Sequence, residues 1–256
     1  MAGYILAVTG QKGGTGKTTT AVNLSAALAE LGRRVLLIDL DGQGSASRWL
    51  SAADDGAALL DVLRTGRRLA DIARPSSVPG VDVVPCGPLF GDGPLVADAA
   101  LRDELAAAIA GARDLADVVV IDCPPSLGEV ALVALKAADG VIAPIDPAAL
   151  TLDALPRLLA TLGGVQRRRP DGGPRLIGLL LNRHDARQIV ARQVADSLRE
   201  GHAAGVFTTV IRESVRHREA PAYGRSILAY DATGPGAADF RALAVEVVER
   251  IKQGGA

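Results

Sequence analysis

The residues best suited to chemistry lie near the N-terminus, in a glycine-rich segment that carries two lysines and four threonines. It reads GQKGGTGKTTT over residues 10–20. Glycines let consecutive backbone N–H groups turn toward one point and approach phosphate oxygens closely. The spacing puts Lys17 within reach of the β- and γ-phosphates of a nucleotide, and the Thr18 hydroxyl on the Mg²⁺ that bridges them. The segment therefore predicts a site for a nucleoside triphosphate and Mg²⁺.

The residues on either side of this loop support the interpretation. An apolar run from Tyr4 to Val8 predicts a strand, and the apolar positions of residues 17–31 recur at helical spacing. The N-terminus of that helix adds a dipole that favours phosphate. Gln11 stands where the strict phosphate-loop pattern has glycine, so a simple pattern search would miss the site. An incidental glycine-rich turn is the alternative, and the flanking strand and helix argue against it.

Three carboxylates follow apolar runs that predict strands. Asp39 ends the run 35–39 and is followed by Asp41, while Asp122 ends the run 117–122. Because ligands bind outside the carboxyl ends of parallel strands, these acids and the phosphate loop are expected at one rim of a sheet. Aspartates in a turn are often merely solvated, but beside a phosphate loop they suit phosphoryl transfer, which needs charge stabilisation and a positioned nucleophile.

Lys12 is unusual because it lies inside the glycine turn. The chain has four lysines against twenty-four arginines, and two of the four lysines fall in this loop. A buried lysine is unfavourable unless an anion meets it, so Lys12 is expected to face the nucleotide or an interface.

Residues 12–18, KGGTGKT, resemble the deviant Walker A motif of the ParA/MinD family of ATPases, in whose ParA members Gln11 is common. Residues 39–47 resemble that family's D-x-D-P-Q-G-N-A-S segment, and residues 121–127 its I-D-C-P-P-S-L segment. The resemblance implies that Lys12 crosses a dimer interface to the partner's nucleotide and that Asp41 positions or activates the attacking water.

By the same resemblance the catalytic residues are Lys12, Lys17 and Asp41, and the Mg²⁺ site consists of Thr18, Asp39 and Asp122. Asn182, at the end of a predicted strand 176–181, resembles the base-reading asparagine of related proteins, since an amide can both donate to and accept from adenine. The expected ATP-binding residues are Gly13, Gly14, Thr15, Gly16, Lys17, Thr18, Thr19 and Asn182.

The chain departs from the family pattern at several positions. Gly42 replaces a proline, which loosens the loop after Asp41, and Thr15 replaces a valine. Arg212 stands where proline is usual, and Ala149 and Leu150 stand where aromatic residues are usual.

Composition predicts one large α/β domain over residues 1–256, because 48% of the residues are hydrophobic and no linker divides them. The formal net charge of −1 does not by itself indicate a nucleic-acid partner. Residues 167–225, however, hold twelve arginines against six acids. Two distant cysteines and the lack of a signal or membrane-spanning run favour a cytoplasmic protein.

The basic excess coincides with a further resemblance, because residues 213–227 are similar to the family's N-V-R-L-S-E-A-P-x-x-G-x-P-I stretch. In ParA proteins, arginines of this region contact DNA phosphates without reading sequence, and such a stripe would release counterions from a duplex. Salt-bridged helix faces are the alternative, since acids are interspersed. The expected DNA-binding residues are Arg187, Arg192, Arg199, Arg216, Arg218 and Arg225.

The predicted fold is a doubly wound, mostly parallel sheet flanked by helices, with its site at the carboxyl ends of the strands. Residues 206–211 predict its last strand and residues 237–252 its last helix. Because the predicted last helix ends close to residue 256, the extra amphipathic helix by which MinD-type relatives bind membrane is not expected, nor is a membrane partner.

The function implied by the resemblance is that of a ParA-type partition ATPase. ATP would drive homodimerisation and nonspecific binding to double-stranded DNA at the nucleoid, and a ParB-type partner would trigger hydrolysis. A MinD-like or cargo-positioning ATPase is one alternative. A metabolic ligase of the dethiobiotin synthetase type is another, and it would have no use for Lys12.

Overall fold

A computed structural model describes residues 3–51, 59–86, 98–147, 154–202 and 205–254. In this part of the chain seven strands form one sheet in the order β3-β4-β2-β5-β1-β6-β7, and all are parallel except β3, which pairs antiparallel with β4. The strands are β1 (Tyr4–Val8), β2 (Val35–Asp39), β3 (Arg74–Pro75), β4 (Val81–Val84), β5 (Val118–Asp122), β6 (Gly140–Ile145) and β7 (Arg175–Leu181). The predicted mostly parallel sheet is confirmed.

Helices cover both faces of the sheet. The helices of the described residues are α1 (Lys17–Glu30), α2 (Ser45–Trp49), α3 (Leu59–Thr65), α4 (Leu69–Ile72), α5 (Ala99–Gly111), α6 (Glu129–Ala137), α7 (Ala154–Gln166), α8 (Ile189–His202), α9 (Arg216–Glu219), α10 (Ile227–Tyr230) and α11 (Pro235–Gln253), with short 3₁₀ turns at Ala112–Asp114 and Ala220–Tyr223. None of them is long and apolar enough to cross a membrane.

The central strands are buried on both faces, as crossover helices require. In β1, Ile5 and Ala7 point into a core shared with α5, α6 and α7, while Leu6 and Val8 point into a core shared with α1 and α11. This alternation explains why the strands read as continuous apolar runs. The sheet is therefore doubly wound, as expected.

The prediction of a strand over residues 206–211 is wrong. Within this stretch a single isolated bridge occurs, which joins Val206 to Leu179. The backbone N–H groups of Thr208 and Thr209 donate instead to the carboxylate of Glu246 on α11, at 2.8 and 2.9 Å. A long-range side chain thus takes the hydrogen bonds that a strand ladder would use, which the local apolar pattern could not indicate. Ala149 and Leu150 lie outside the described residues.

Candidate nucleotide-binding site

The phosphate loop joins β1 to α1 in the predicted strand, loop, helix order. Gly14 and Gly16 adopt left-handed backbone conformations, with φ of 79° and 86°. The first turn of α1 closes through the Thr20 N–H, which donates to the Gly16 carbonyl at 2.8 Å. A side chain at Gly16 would also have no space, because its Cβ would lie 2.1 Å from Asn182 Nδ2. This position therefore requires glycine for two independent reasons.

Lys17, the first residue of α1, is almost fully buried. Its Nζ donates to the Lys12 carbonyl within the loop at 2.9 Å. Burial lowers the pKa of Lys17, while the nearby carboxylates of Asp122 and Asp41 oppose that shift. A buried ammonium whose partner is a neutral carbonyl would gain much from an anion, so a phosphate oxygen is the natural replacement for that carbonyl.

Parallel pairing brings two of the predicted metal ligands together, since Asp39 at the end of β2 is in register with Asp122 at the end of β5. Asp39 is completely buried, and its Oδ2 accepts hydrogen bonds from the N–H and the hydroxyl of Ser47 at 2.9 and 2.8 Å. Its Oδ1 accepts from the Asp41 N–H at 3.2 Å. Burial nevertheless raises the pKa of Asp39.

Asp122 is also completely buried, but within the described residues neither carboxylate oxygen accepts a hydrogen bond of normal geometry. Burial and the charge of Asp39 raise the pKa of Asp122 well above its usual range, and the Thr18 hydroxyl beside it counteracts this. Buried carboxylates of this kind are normally paired with a cation. Thr18, Asp39 and Asp122 therefore fit a bound Mg²⁺.

Magnesium in nucleotide sites takes only one or two carboxylates from the protein and completes its shell with phosphates and water. No group of three or more His, Cys, Asp or Glu side chains suited to a metal occurs among the residues the structure describes. Two carboxylates and one hydroxyl fit a Mg²⁺ ion that arrives with the nucleotide.

Asp122→Asn is expected to raise the melting temperature of the nucleotide-free protein by about 2–4 °C, because it removes a buried charge whose oxygens accept no hydrogen bond of normal geometry from the described residues. The same variant is expected to lose the additional stabilisation that Mg²⁺ confers over ATP alone. Thermal unfolding with and without Mg²⁺ measures both effects.

Asp39→Asn is the matched control, since the two acids are equally buried but Asp39 accepts three hydrogen bonds. The amide NH₂ of an asparagine would face the N–H and O–H donors that the Asp39 oxygens now accept from, so this variant is expected to melt at a lower temperature. An equal decrease for both variants would contradict the unpaired state of Asp122.

Asp41 lies at the start of the turn that follows β2 and is partly exposed. Its Oδ1 accepts from the Gln43 N–H at 3.0 Å, and its carbonyl accepts from the Gly44 N–H at 2.7 Å. These bonds hold its carboxylate at the rim, near the buried pair Asp39 and Asp122. Lys12 is exposed at the same rim and makes no ion pair with the described residues.

Asn182 is buried behind the loop rather than open to solvent. Its Nδ2 donates to the Thr15 carbonyl at 2.8 Å, and its Oδ1 accepts from the Arg183 N–H at 3.0 Å. The amide therefore supports the phosphate loop, a role that the sequence did not predict. Its contact with the adenine base stays a prediction.

Sequence reasoning missed Arg183. This residue has φ of 55° and donates to Asp146 Oδ2 at 3.1 Å, to Glu213 Oε2 at 3.0 Å and to the Gly14 carbonyl at 3.4 Å. Its partners lie between 30 and 169 positions away along the chain, so no local pattern could have indicated it.

The six arginines expected to bind DNA are all exposed. Three of them are ion-paired, namely Arg187 with Asp185 at 2.9 Å, Arg216 with Glu219 at 2.9 Å and Arg218 with Glu213 at 2.6 Å. Arg192, Arg199 and Arg225 make no ion pair with described residues. The salt-bridged alternative thus holds for half of the set, although exposed pairs of this kind are weak and can exchange partners.

The fold and the site define a P-loop nucleoside triphosphatase, with a glycine loop between β1 and α1 and carboxylates ending two neighbouring strands. A family model described as AAA domain matches residues 3–171. The chromosome-partitioning ATPase Soj of Thermus thermophilus is 41% identical over 97% of this chain and 96% of its own length. The chain belongs to the ParA/Soj family of ATPases, as its motifs had indicated.

Solved structures share this fold. Cobyrinic acid a,c-diamide synthase of Mycobacterium smegmatis with bound ADP and magnesium has a TM-score of 0.82 and 29% identity, over 98% of this chain and 96% of that one. The septum site-determining protein MinD of Pyrococcus horikoshii, complexed with Mg-ADP, has a TM-score of 0.75 and 28% identity, over 95% of each chain.

Proposed function

We propose that this ATPase acts in DNA partition. Mg-ATP would drive the formation of a sandwich homodimer, the dimer would bind double-stranded DNA without sequence preference, and a ParB-type partner would stimulate hydrolysis and release. It would work in the cytoplasm, associated with the nucleoid. The observation that carries the proposal is the exposed Lys12 inside an intact phosphate loop, together with near full-length similarity to Soj.

The proposed function gives each residue of the site a task. Loop N–H groups and Lys17 would bind the phosphates once Lys17 Nζ leaves the Lys12 carbonyl. Thr18, Asp39 and Asp122 would hold Mg²⁺, which when bound neutralises charge on the β- and γ-phosphates. Asp41 would orient the attacking water and accept its proton. Lys12 would contact the nucleotide of the second protomer.

The first experiment is binding to nonspecific duplex DNA with ATP, with ADP and without nucleotide, across a salt series. Binding that requires ATP and falls steeply with salt is expected, because arginines that contact phosphates release counterions. Absence of binding in every state, with ATP-dependent dimerisation intact, would overturn the DNA part of the proposal and favour a protein cargo.

Lys12→Ala is expected to abolish ATP-dependent dimerisation while ATP still binds to the monomer. Among the described residues the exposed Lys12 side chain has no partner in its own protomer, and its proposed partner is the nucleotide of the second protomer. Light scattering or analytical ultracentrifugation with Mg-ATP measures the dimer. Lys252→Ala, which removes another exposed lysine at the end of α11, is the control and should dimerise normally.

The two alternatives make different predictions for Lys12. A metabolic ligase, to which the resemblance to cobyrinic acid a,c-diamide synthase points, would keep its turnover in Lys12→Ala. A MinD-like or cargo-positioning ATPase would lose dimerisation in the same way but would show no affinity for DNA.

A further inference from the structure

Arg183 joins three segments that are distant in sequence. It follows β7, and its Nη1 donates both to Asp146, just beyond β6, and to the Gly14 carbonyl of the phosphate loop. Its Nε donates to Glu213, in the segment that precedes α9. Its left-handed backbone is rare for a residue other than glycine and persists only where surrounding contacts hold it.

Glu213 extends this network toward the predicted DNA-binding surface. Its Oε2 accepts from Arg183 at 3.0 Å, while its Oε1 accepts from Arg218 Nη1 at 2.6 Å. A backbone hydrogen bond also joins the segment after β7 to the segment before α9, since the Glu213 N–H donates to the His184 carbonyl at 3.2 Å. One carboxylate thus connects the arginine that contacts the loop to an arginine of α9.

The chemistry of the connection depends on arginine. A planar guanidinium presents five donors in a rigid fork and can bind several acceptors at once, whereas lysine offers a compact charge on a flexible stem. The network is partly shielded, because the side chains of Asp146 and Glu213 are 9% and 29% exposed. Charge-assisted bonds in such surroundings hold geometry better than exposed pairs do.

We propose that Arg183 is a positioning residue for the phosphate loop, and that Glu213 acts through it to link the state of the nucleotide site to Arg218. Among the described residues the Glu213 carboxylate bonds to Arg183 and Arg218 and reaches the loop only through Arg183, so its effect on ATP is expected to pass through that residue. The further link from Arg218 to DNA rests on the function proposed above.

Simple charge and positioning predict opposite results for Glu213→Gln. Removal of a negative charge near the nucleotide would, by Coulomb's law alone, strengthen the binding of ATP. Loss of the carboxylate that holds Arg183 would weaken it. The direction of the change therefore separates the two explanations.

The test is the dissociation constant of Mg-ATP, measured by calorimetry for Arg183→Lys, Glu213→Gln and the double variant. Each single variant is expected to bind ATP about fivefold more weakly, a coupling of typical size. The double variant is expected to be no weaker than Arg183→Lys alone, because Glu213 acts through Arg183. Tighter or unchanged binding by Glu213→Gln, or additive effects, would overturn the proposal.

Arg241→Met is the matched control. Arg241, on α11, forms an ion pair at 2.6 Å with Glu30 at the end of α1, and its side chain is 40% exposed against 45% for Arg183. Its loss is expected to lower the melting temperature as much as Arg183→Lys does while leaving the ATP dissociation constant unchanged. An equal loss of ATP affinity in this control would mean that general destabilisation, not positioning, is responsible.

A second measurement, DNA affinity at saturating Mg-ATP, tests the link to Arg218. In Arg183→Lys the Glu213 carboxylate is expected to pair mainly with Arg218 and so to compete with DNA phosphates for that arginine. DNA affinity is therefore expected to fall about threefold, and adding Glu213→Gln is expected to restore it. Unchanged DNA affinity alongside weakened ATP binding would refute the link but not the positioning role. If the unmodified protein binds no DNA, the proposed function fails, and the calorimetry still decides the role of Arg183.

Discussion

Asp41→Ala is expected to lower ATP turnover by about 100-fold while ATP affinity changes by no more than about twofold, as for the loss of a general base. The structure supports this separation of effects. Asp41 lies at the rim beyond the buried acids, whereas Lys17 and the loop N–H groups are left intact. Single-turnover hydrolysis and equilibrium binding, measured on the same preparation, provide the two quantities.

Asp41→Asn is the control for the fold of the turn. Its amide oxygen can still accept from the Gln43 N–H, which Asp41 Oδ1 binds at 3.0 Å, but the amide cannot accept a proton. Both variants are therefore expected to be equally slow. Substantial hydrolysis by Asp41→Asn would show that turn geometry, rather than a carboxylate, is what the reaction needs.

Gly16→Ala is expected to weaken Mg-ATP binding by at least about 100-fold, since a strained non-glycine conformation costs about 1–3 kcal/mol and a steric clash adds to it. The φ of 86° gives the strain, and the clash is with Asn182 Nδ2, 2.1 Å from the position of the new Cβ. Asn182 would have to move, and the Thr15 carbonyl would lose its donor.

Gly14→Ala separates strain from clash. Gly14 has a similar φ of 79°, but no heavy atom lies within 4 Å of the position that a Cβ would take there. Only backbone strain therefore applies, and a loss of about tenfold in ATP affinity is expected. Gly16→Ala should also weaken ATP binding less in a protein that already carries Asn182→Ala than in the unmodified protein, because the clash with Asn182 is then absent. Equal losses at the two glycines would mean that the contact with Asn182 is unimportant.

Much of the site could be predicted from local patterns. The strands of residues 4–8, 35–39 and 118–122 are short apolar runs, and each ends in the loop or carboxylate that does chemistry. Parallel pairing then brings those ends to one rim, and the structure does place Asp39 beside Asp122. Family resemblance added roles for these residues that spacing alone could not supply.

The amino-acid sequence by itself determined the class of fold, the phosphate loop and the acids at the strand ends, because each depends on residues that are close together in the chain. The tertiary structure alone decided that Glu246 displaces the expected strand at 206–211, that Asn182 supports the loop, and that Arg183 and Glu213 connect it to α9. Those contacts join side chains from separate elements, and their geometry exists only once the sheet has brought the elements together.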